Sequence, residues 1–194
     1  MFPKTYSQLT IGKYQQLHKI MEMDFPESFD RDIRILALLG DKKVADIEAM
    51  NIQDFNEARV RISFIYTQGS FPLPASFWLK GVMYRVNTDP RKINAGGYID
   101  ITKLTSNKKE ITGNIHLIMA TLCTPFQLGI KKDTKQTVEE RAELFRKYLT
   151  MDKVLPVTVF FLKLSKKLRI NIQSFLLEEV IRKAKKIARE VVTK

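Results

Sequence analysis

The side chains best suited to nucleophilic or metal chemistry are two histidines, His18 and His116, and a single cysteine, Cys123. A structural metal site needs three or four ligands in a cluster, whereas neither histidine has a second ligand at helical or hairpin spacing. His116 and Cys123 share a predicted helix face two turns apart, roughly 10 Å, which is too far for a nucleophile and its base. We therefore predict that both histidines are structural or surface residues and that Cys123 is a buried, inert thiol.

The glycine and carboxylate patterns predict neither a nucleotide-binding loop nor a catalytic pair of carboxylates. Gly96-Gly97 lacks the Lys-Ser/Thr of a nucleotide-binding loop and the third glycine of a dinucleotide site. The pairs Glu139-Glu140 and Glu178-Glu179 stand at predicted helix starts, where carboxylates offset the helix dipole. Nothing in the sequence selects two carboxylates for acid–base work. We predict a protein that is not an enzyme and that uses no cofactor or metal.

The positive charge is concentrated at the C-terminal end of the chain. The formal net charge is +12, and residues 163–194 contain 10 Lys/Arg against 3 Asp/Glu, which is +7. Such asymmetry indicates a located contact surface. A solvated helix face fits the charge equally well.

A last helix is predicted from about residue 172 onward, with an apolar stripe beside a basic face. The stripe predicts a seam that packs against a partner, and the basic face predicts contact with acidic protein or phosphate. The C-terminal seam consists of Leu177, Val180, Ala184, Ile187 and Val191, and the C-terminal basic face consists of Arg182, Lys183, Lys185, Lys186 and Arg189.

Nucleic acid is therefore an alternative partner. The chain has no zinc finger, RNP-type motif or clear helix-turn-helix, so the charge supports only sequence-independent contact. Trp78 and Tyr84-Arg85 could stack on bases, although the aromatic residues of a hairpin more often form core.

Helices are predicted at both ends of the chain and a hairpin between them. Thr10 is the predicted N-cap of the first helix, and Gly40 is the predicted stop of a second that begins near Ser28. A third covers 44–50 and a fourth 52–65, with Ile52 on its apolar stripe. Residues 69–74 form a linker, and residues 77–86 form a hairpin that turns at Lys80-Gly81.

Three further helices and a segment of undecided structure follow the hairpin. Residues 98–104 fit either a strand or a helical turn, and residues 109–123 fit a helix that ends before Pro125. Thr137 and Glu140 predict a capping box for the next helix. A helix over 153–168 tolerates Pro156 only in its first turn, and its run 157–162 is apolar all round, as in a core or an interface.

The predicted fold class is therefore mainly α with a small β-hairpin (α+β), ending in a long basic amphipathic helix. The regions are 1–68, 69–133 and 134–194, with one compact domain over 1–168 as the alternative. Apolar runs are far shorter than the roughly 20 residues of a membrane span, and the N-terminus lacks the apolar core of a signal peptide. A lone cysteine fits a reducing cytoplasm.

Three residue patterns between residues 8 and 125 have the character of a known group of proteins. The first is Thr10-Ile11-Gly12-Lys13-Tyr14, followed by Leu38-Leu39-Gly40 at the end of an acidic helix. The second is Phe77-x-Leu79-Lys80-Gly81-x-x-Tyr84-x-Val86, and the third is Gly97-Tyr98-Ile99-Asp100 followed by His116-Leu117-Ile118-Met119-Ala120-x-Leu122-x-x-Pro125. Together they resemble the tail-assembly and baseplate-assembly proteins of tailed bacteriophages, in particular phages of Bacteroidales such as the crAss-like group.

The resemblance implies a non-enzymatic role in building a phage tail or head-to-tail connector. Its implied partners are other phage structural proteins in an oligomeric ring or tail assembly, with no membrane, and its implied location is the virion or the host cytoplasm during assembly. Basic C-terminal helices are not expected of a soluble chaperone that acts only transiently. They favour a protein that stays in the particle. The alternative is a sequence-independent nucleic-acid-binding protein that uses these basic helices.

The C-terminal seam can be tested by one substitution. Ala184→Asp should abolish association with the partner, because it places a charge in a desolvated helix contact. Size-exclusion chromatography with the partner present measures this, and an unchanged complex would contradict the seam.

Overall fold

The computed structural model describes residues 1–67, 69–89, 93, 95–107, 110–126 and 136–163. Its architecture is mainly α-helical with one small antiparallel sheet, which confirms the predicted fold class. The chain divides into two units, Met1–Thr158 and Val159–Lys194. The predicted regions 1–68, 69–133 and 134–194 stay predictions. The predicted C-terminal helix lies outside the described residues.

The N-terminal part consists of short helices with defined starts. They are α1 (Ile11–Glu22), α2 (Ser28–Gly40), α3 (Val44–Glu48) and α4 (Ile52–Arg61). Thr10 caps α1 as predicted, because its side-chain oxygen accepts a 3.4 Å hydrogen bond from the N–H of Lys13. Asn51 caps α4 in the same way, accepting a 2.9 Å bond from the N–H of Asp54.

Helix α2 ends at the predicted place, but the residue that ends it is Asp41 rather than Gly40. The left-handed conformation belongs to Asp41, with φ of 51°, and Gly40 is still helical. A Cβ at position 40 would lie 2.6 Å from Cε1 of Phe2, so Gly40 leaves room for this ring. Asp41 is fixed by a 2.6 Å ion pair with Lys13 on α1. The predicted end of α2 is therefore confirmed, whereas the predicted role of Gly40 in ending it is wrong.

Helix α4 is shorter than predicted, and its buried stripe is different. The α-helix ends at Arg61, because Ile62 leaves helical dihedrals at φ −89° and ψ 2°, and the chain continues as a 3₁₀-helix over Ser63–Tyr66. Phe55, Ala58 and Ile62 are buried, whereas Ile52 is 62% exposed. The prediction that Ile52 faces inward is wrong.

The predicted hairpin is confirmed and gains a third strand. Strands β1 (Ser76–Leu79) and β2 (Val82–Val86) join at Lys80 and Gly81, whose φ values of 49° and 79° fit a type I′ turn. Strand β3 (Cys123–Phe126) pairs antiparallel with β2, in the order β1-β2-β3. Phe77 and Tyr84 point to the inner face, with their rings stacked 5.7 Å apart.

Strand β3 corrects the predicted end of the preceding helix. Helix α5 (Ala95–Leu104) settles the segment left open between strand and helix, and α6 (Ile111–Leu122) follows it. Cys123 therefore begins β3 rather than ending the helix. Pro125 disfavours helical dihedrals at the residue before it, and its missing N–H is tolerated because β3 is an edge strand.

Helix α7 (Val138–Tyr148) packs against the inner face of the sheet. The predicted capping box is present: Thr137 accepts from the N–H of Glu140, and the Glu140 carboxylate accepts from the N–H of Thr137. Phe145 is fully buried, 4.9 Å from the ring of Tyr84 and 5.8 Å from that of Phe77. These three rings form the aromatic cluster of the core.

Residues after α7 connect the end of the unit to its beginning. The N–H of Ile11 donates to the carbonyl of Leu149 at 3.0 Å, and the N–H of Met151 donates to that of Leu9 at 2.8 Å. Residues 151–163 are helical and form α8, so Pro156 falls in its second turn rather than its first. Val157 and Phe161 are buried but Val159 is 45% exposed, so the run 157–162 is not buried all round.

Phe145 should be the most sensitive position of the core. Phe145→Ala should lower the free energy of unfolding by about 3–5 kcal/mol, because it removes a ring enclosed by two others. Urea denaturation followed by circular dichroism measures this. Ile52→Ala, at an exposed position, should cost about 0.5 kcal/mol or less. Similar losses for the two variants would contradict the central place of the aromatic cluster.

Candidate docking surface

The residues predicted to bind a partner lie outside the part of the chain that the structure describes. This holds for the whole C-terminal seam and the whole C-terminal basic face. Lys163, the last described residue, is exposed. Both surfaces therefore stay predictions, and the described residues have to supply candidate sites of their own.

The three side chains considered for chemistry lie in three different environments. His18 Nδ1 is 3.3 Å from the Glu22 carboxylate on the surface of α1. Cys123 is fully buried, and burial raises the pKa of its thiol to about 12, so the predicted inert thiol is confirmed. Among the described residues, no group of three or more His, Cys, Asp or Glu could hold a metal ion.

His116 has a structural role between α1 and α6. Its Nδ1 is 3.0 Å from Nε2 of Gln15, which also donates to the carbonyls of Thr112 and Gly113. The Gln15 amide can donate to Nδ1 only when this nitrogen carries no proton, so the contact favours the neutral imidazole. Burial is the main cause that lowers the pKa of His116. The negative charge of Glu143 opposes this shift, and the positive charge of Arg146 adds to it.

The outward side of α4 exposes apolar side chains that sequence reasoning missed. Val60 is 73% exposed and Ile52 is 62% exposed, and Tyr66 in the following 3₁₀-helix is 54% exposed. Ile52 and Val60 are eight residues apart, which places them on one side of a helix. We call Ile52, Asn56, Val60 and Tyr66 the α4 surface. The sequence contained one signal of this surface: Val60 is a β-branched residue that lies outside the buried stripe of α4.

Two depressions flank Val60 on this surface, each with a volume of about 680 Å³. Asn56 and Val60 contribute to both. The first is further lined by Arg31, Arg59 and Tyr66, and the second by Gln53, Glu57 and Arg61, among others. Val60 therefore forms a ridge between two recesses, a relief that a complementary protein surface can fill.

A buried polar cluster holds the α4 surface in place. Asp32 on α2 is 6% exposed, and its carboxylate forms a 2.8 Å ion pair with the guanidinium of Arg59 and accepts a 3.3 Å hydrogen bond from the hydroxyl of Tyr66. Burial, followed by the negative charge of Asp32, raises the pKa of Tyr66. Because one carboxylate joins α2, α4 and the 3₁₀-helix, the surface above it is fixed before any partner binds.

The outer face of the β-sheet is the second exposed surface of the described chain. Strand alternation places six side chains on it: Ser76, Trp78, Met83, Arg85, Thr124 and Phe126. Trp78 is 64% exposed, whereas Tyr84 is fully buried. The structure therefore separates the aromatic residues that the sequence grouped for base stacking: Trp78 faces outward and Tyr84 belongs to the core.

Comparisons with known proteins do not assign either surface. No protein-family model, curated protein or solved structure matches the chain. Within the described residues, none of the helices is long and apolar enough to cross a membrane. A functional proposal therefore has to be argued from the two exposed surfaces and not from a related protein.

His116 predicts an acid-sensitive contact between α1 and α6. Because its pKa is lowered in the folded protein, the stability that it contributes is present above its unfolded value, about 6.5, and is lost as the pH falls through the folded value. Urea denaturation at pH 7.5 and pH 5 should show a larger loss for the wild type than for His116→Gln. His18→Gln, the matched control, should keep the wild-type difference. Equal losses in all three proteins would contradict the role of His116.

Proposed function

We propose that this protein is a non-enzymatic structural or assembly protein of a tailed bacteriophage that works through protein–protein contacts in a tail or head-to-tail connector. The observation that carries the proposal is the α4 surface, an exposed apolar ridge on a preorganised base. The phage assignment rests on the resemblance of residues 8–125. The C-terminal seam remains a second predicted docking element of the same protein.

A protein fits the α4 surface better than a nucleic acid does. Residues 1–77 carry 9 Lys/Arg and 10 Asp/Glu, so this part of the chain has no excess of positive charge for phosphates. Around Val60 the charges are mixed, with Arg59 and Arg61 close in sequence to Glu57. An apolar centre with mixed charges at its rim is typical of protein interfaces.

The ridge also has the composition of an interface centre. Tyr and Arg are enriched among the residues that dominate binding energies, and Tyr66 and Arg59 lie beside Val60 in one depression. Arg59 is already paired with Asp32, so a partner need not bury an unpaired charge there. We propose a neighbouring protein of the same particle as the occupant, in several copies around an axis.

The proposal predicts a specific assembly defect. Val60→Asp, introduced into the phage genome, should lower the yield of complete particles at least tenfold, because it places an unpaired charge at the centre of the contact. Electron microscopy of purified particles and plaque titres measure the yield. Gln16→Asp, at an exposed position on α1, is the matched control and should assemble normally.

Protein level and melting temperature must be unchanged in both variants, so that a folding defect is excluded. A normal particle yield with Val60→Asp would contradict the proposed contact.

A further inference from the structure

The outer sheet face, defined above by its six residues, combines aromatic rings with positive charge. Trp78 lies directly opposite Met83, and Met83 directly opposite Phe126, so the three form one row across the sheet. The Arg85 guanidinium lies 4.5 Å from the centre of the Phe126 ring. At the hairpin turn, the Lys80 ammonium lies 4.1 Å from the centre of the Tyr148 ring.

We infer that the outer sheet face binds single-stranded nucleic acid, with bases stacked on Trp78 and Phe126 and a phosphate beside Arg85. Stacking needs an exposed ring on a rigid support, and Trp78 meets both conditions: its side of β1 is exposed, and its neighbour Phe77 is anchored in the core. The site is separate from the α4 surface and does not depend on the proposed phage role.

Charge favours a nucleic acid over a protein partner at this face. None of its six residues is a carboxylate, and its one charged member, Arg85, is a cation. Lys80 and Lys147 lie against Tyr148 of α7, the helix on the inner face of the sheet, so Arg85 is the cation that the outer face itself presents. Aromatic rings with interleaved cations are the usual platform for a single strand.

The geometry favours a single strand over a duplex. Adjacent strands are about 4.8 Å apart, so the row from Trp78 to Phe126 spans roughly 10 Å. In a duplex the bases are stacked on one another and hidden from a flat face, whereas unpaired bases can be placed on aromatic rings. A row with the exposed ring of Trp78 and the half-exposed ring of Phe126 therefore accommodates a few unpaired nucleotides.

Trp78 makes the site directly observable, because it is the only tryptophan of the chain. The full-length protein is titrated with an oligothymidylate of about 12 nucleotides, within the usual range of single-strand sites. Tryptophan fluorescence reports contact at the sheet, and anisotropy of the labelled oligonucleotide reports total binding. We expect saturable quenching that weakens with added salt, and much weaker quenching by a duplex of the same length.

Three variants localise the binding. Trp78→Leu should weaken oligonucleotide binding by roughly 5- to 150-fold, the effect of losing one stacked base. Arg85→Gln should make the slope of log affinity against log salt shallower by about 0.7, which corresponds to one phosphate contact. Gln16→Asp, at an exposed position on α1 that belongs to neither surface, should bind the oligonucleotide like the wild type.

Three results would overturn the inference. Oligonucleotide binding without quenching of Trp78 would place the contact elsewhere, as on the C-terminal basic face. Equal quenching by the duplex would exclude a single-strand platform. A change in oligomeric mass in Trp78→Leu, measured by light scattering, with unchanged oligonucleotide affinity would make the face a protein interface.

Discussion

The packing of Phe145 against Phe77 and Tyr84 is the constraint on which the rest of the first unit depends. It fixes α7 to the inner face of the sheet, and Arg141 on the same helix donates from Nε to the carbonyl of Ala120 on α6 at 2.9 Å. The segment that follows α7 then hydrogen-bonds to residues 9–11. Helices from both halves of the sequence are thereby built around α7.

Both exposed surfaces follow from which side chains the core buries. Because strands alternate, burying Phe77 and Tyr84 obliges Trp78 and Arg85 to face outward, and the outer sheet face is the consequence. The α4 surface has a parallel origin, since burial of Phe55 and Asp32 sets the rotation of α4 and leaves Val60 outside. The packing of the core therefore determines which apolar side chains are exposed on these two surfaces. Exposed apolar side chains that lie together are expected of surfaces used for binding.

The sequence predicted what local chemistry determines. The Thr10 cap, the Thr137–Glu140 capping box and the Lys80-Gly81 turn depend on neighbouring residues and are confirmed. What it missed depends on distant partners. Strand β3 exists because β2 offers an open edge, Gly40 is required by the ring of Phe2, and Val60 is exposed because α4 packs through other residues. The docking residues predicted at the C-terminal end lie outside the described residues.

The proposed contact of the α4 surface with another protein can be tested by cross-linking. The most direct test places a photo-crosslinking amino acid at position 60 of the full chain during phage growth, followed by mass spectrometry of the cross-linked products. The proposed contact predicts a cross-link from position 60 to a structural protein of the particle. It predicts none from position 16, which is exposed on α1. Absence of any protein cross-link from position 60, with the variant expressed and folded, would contradict it.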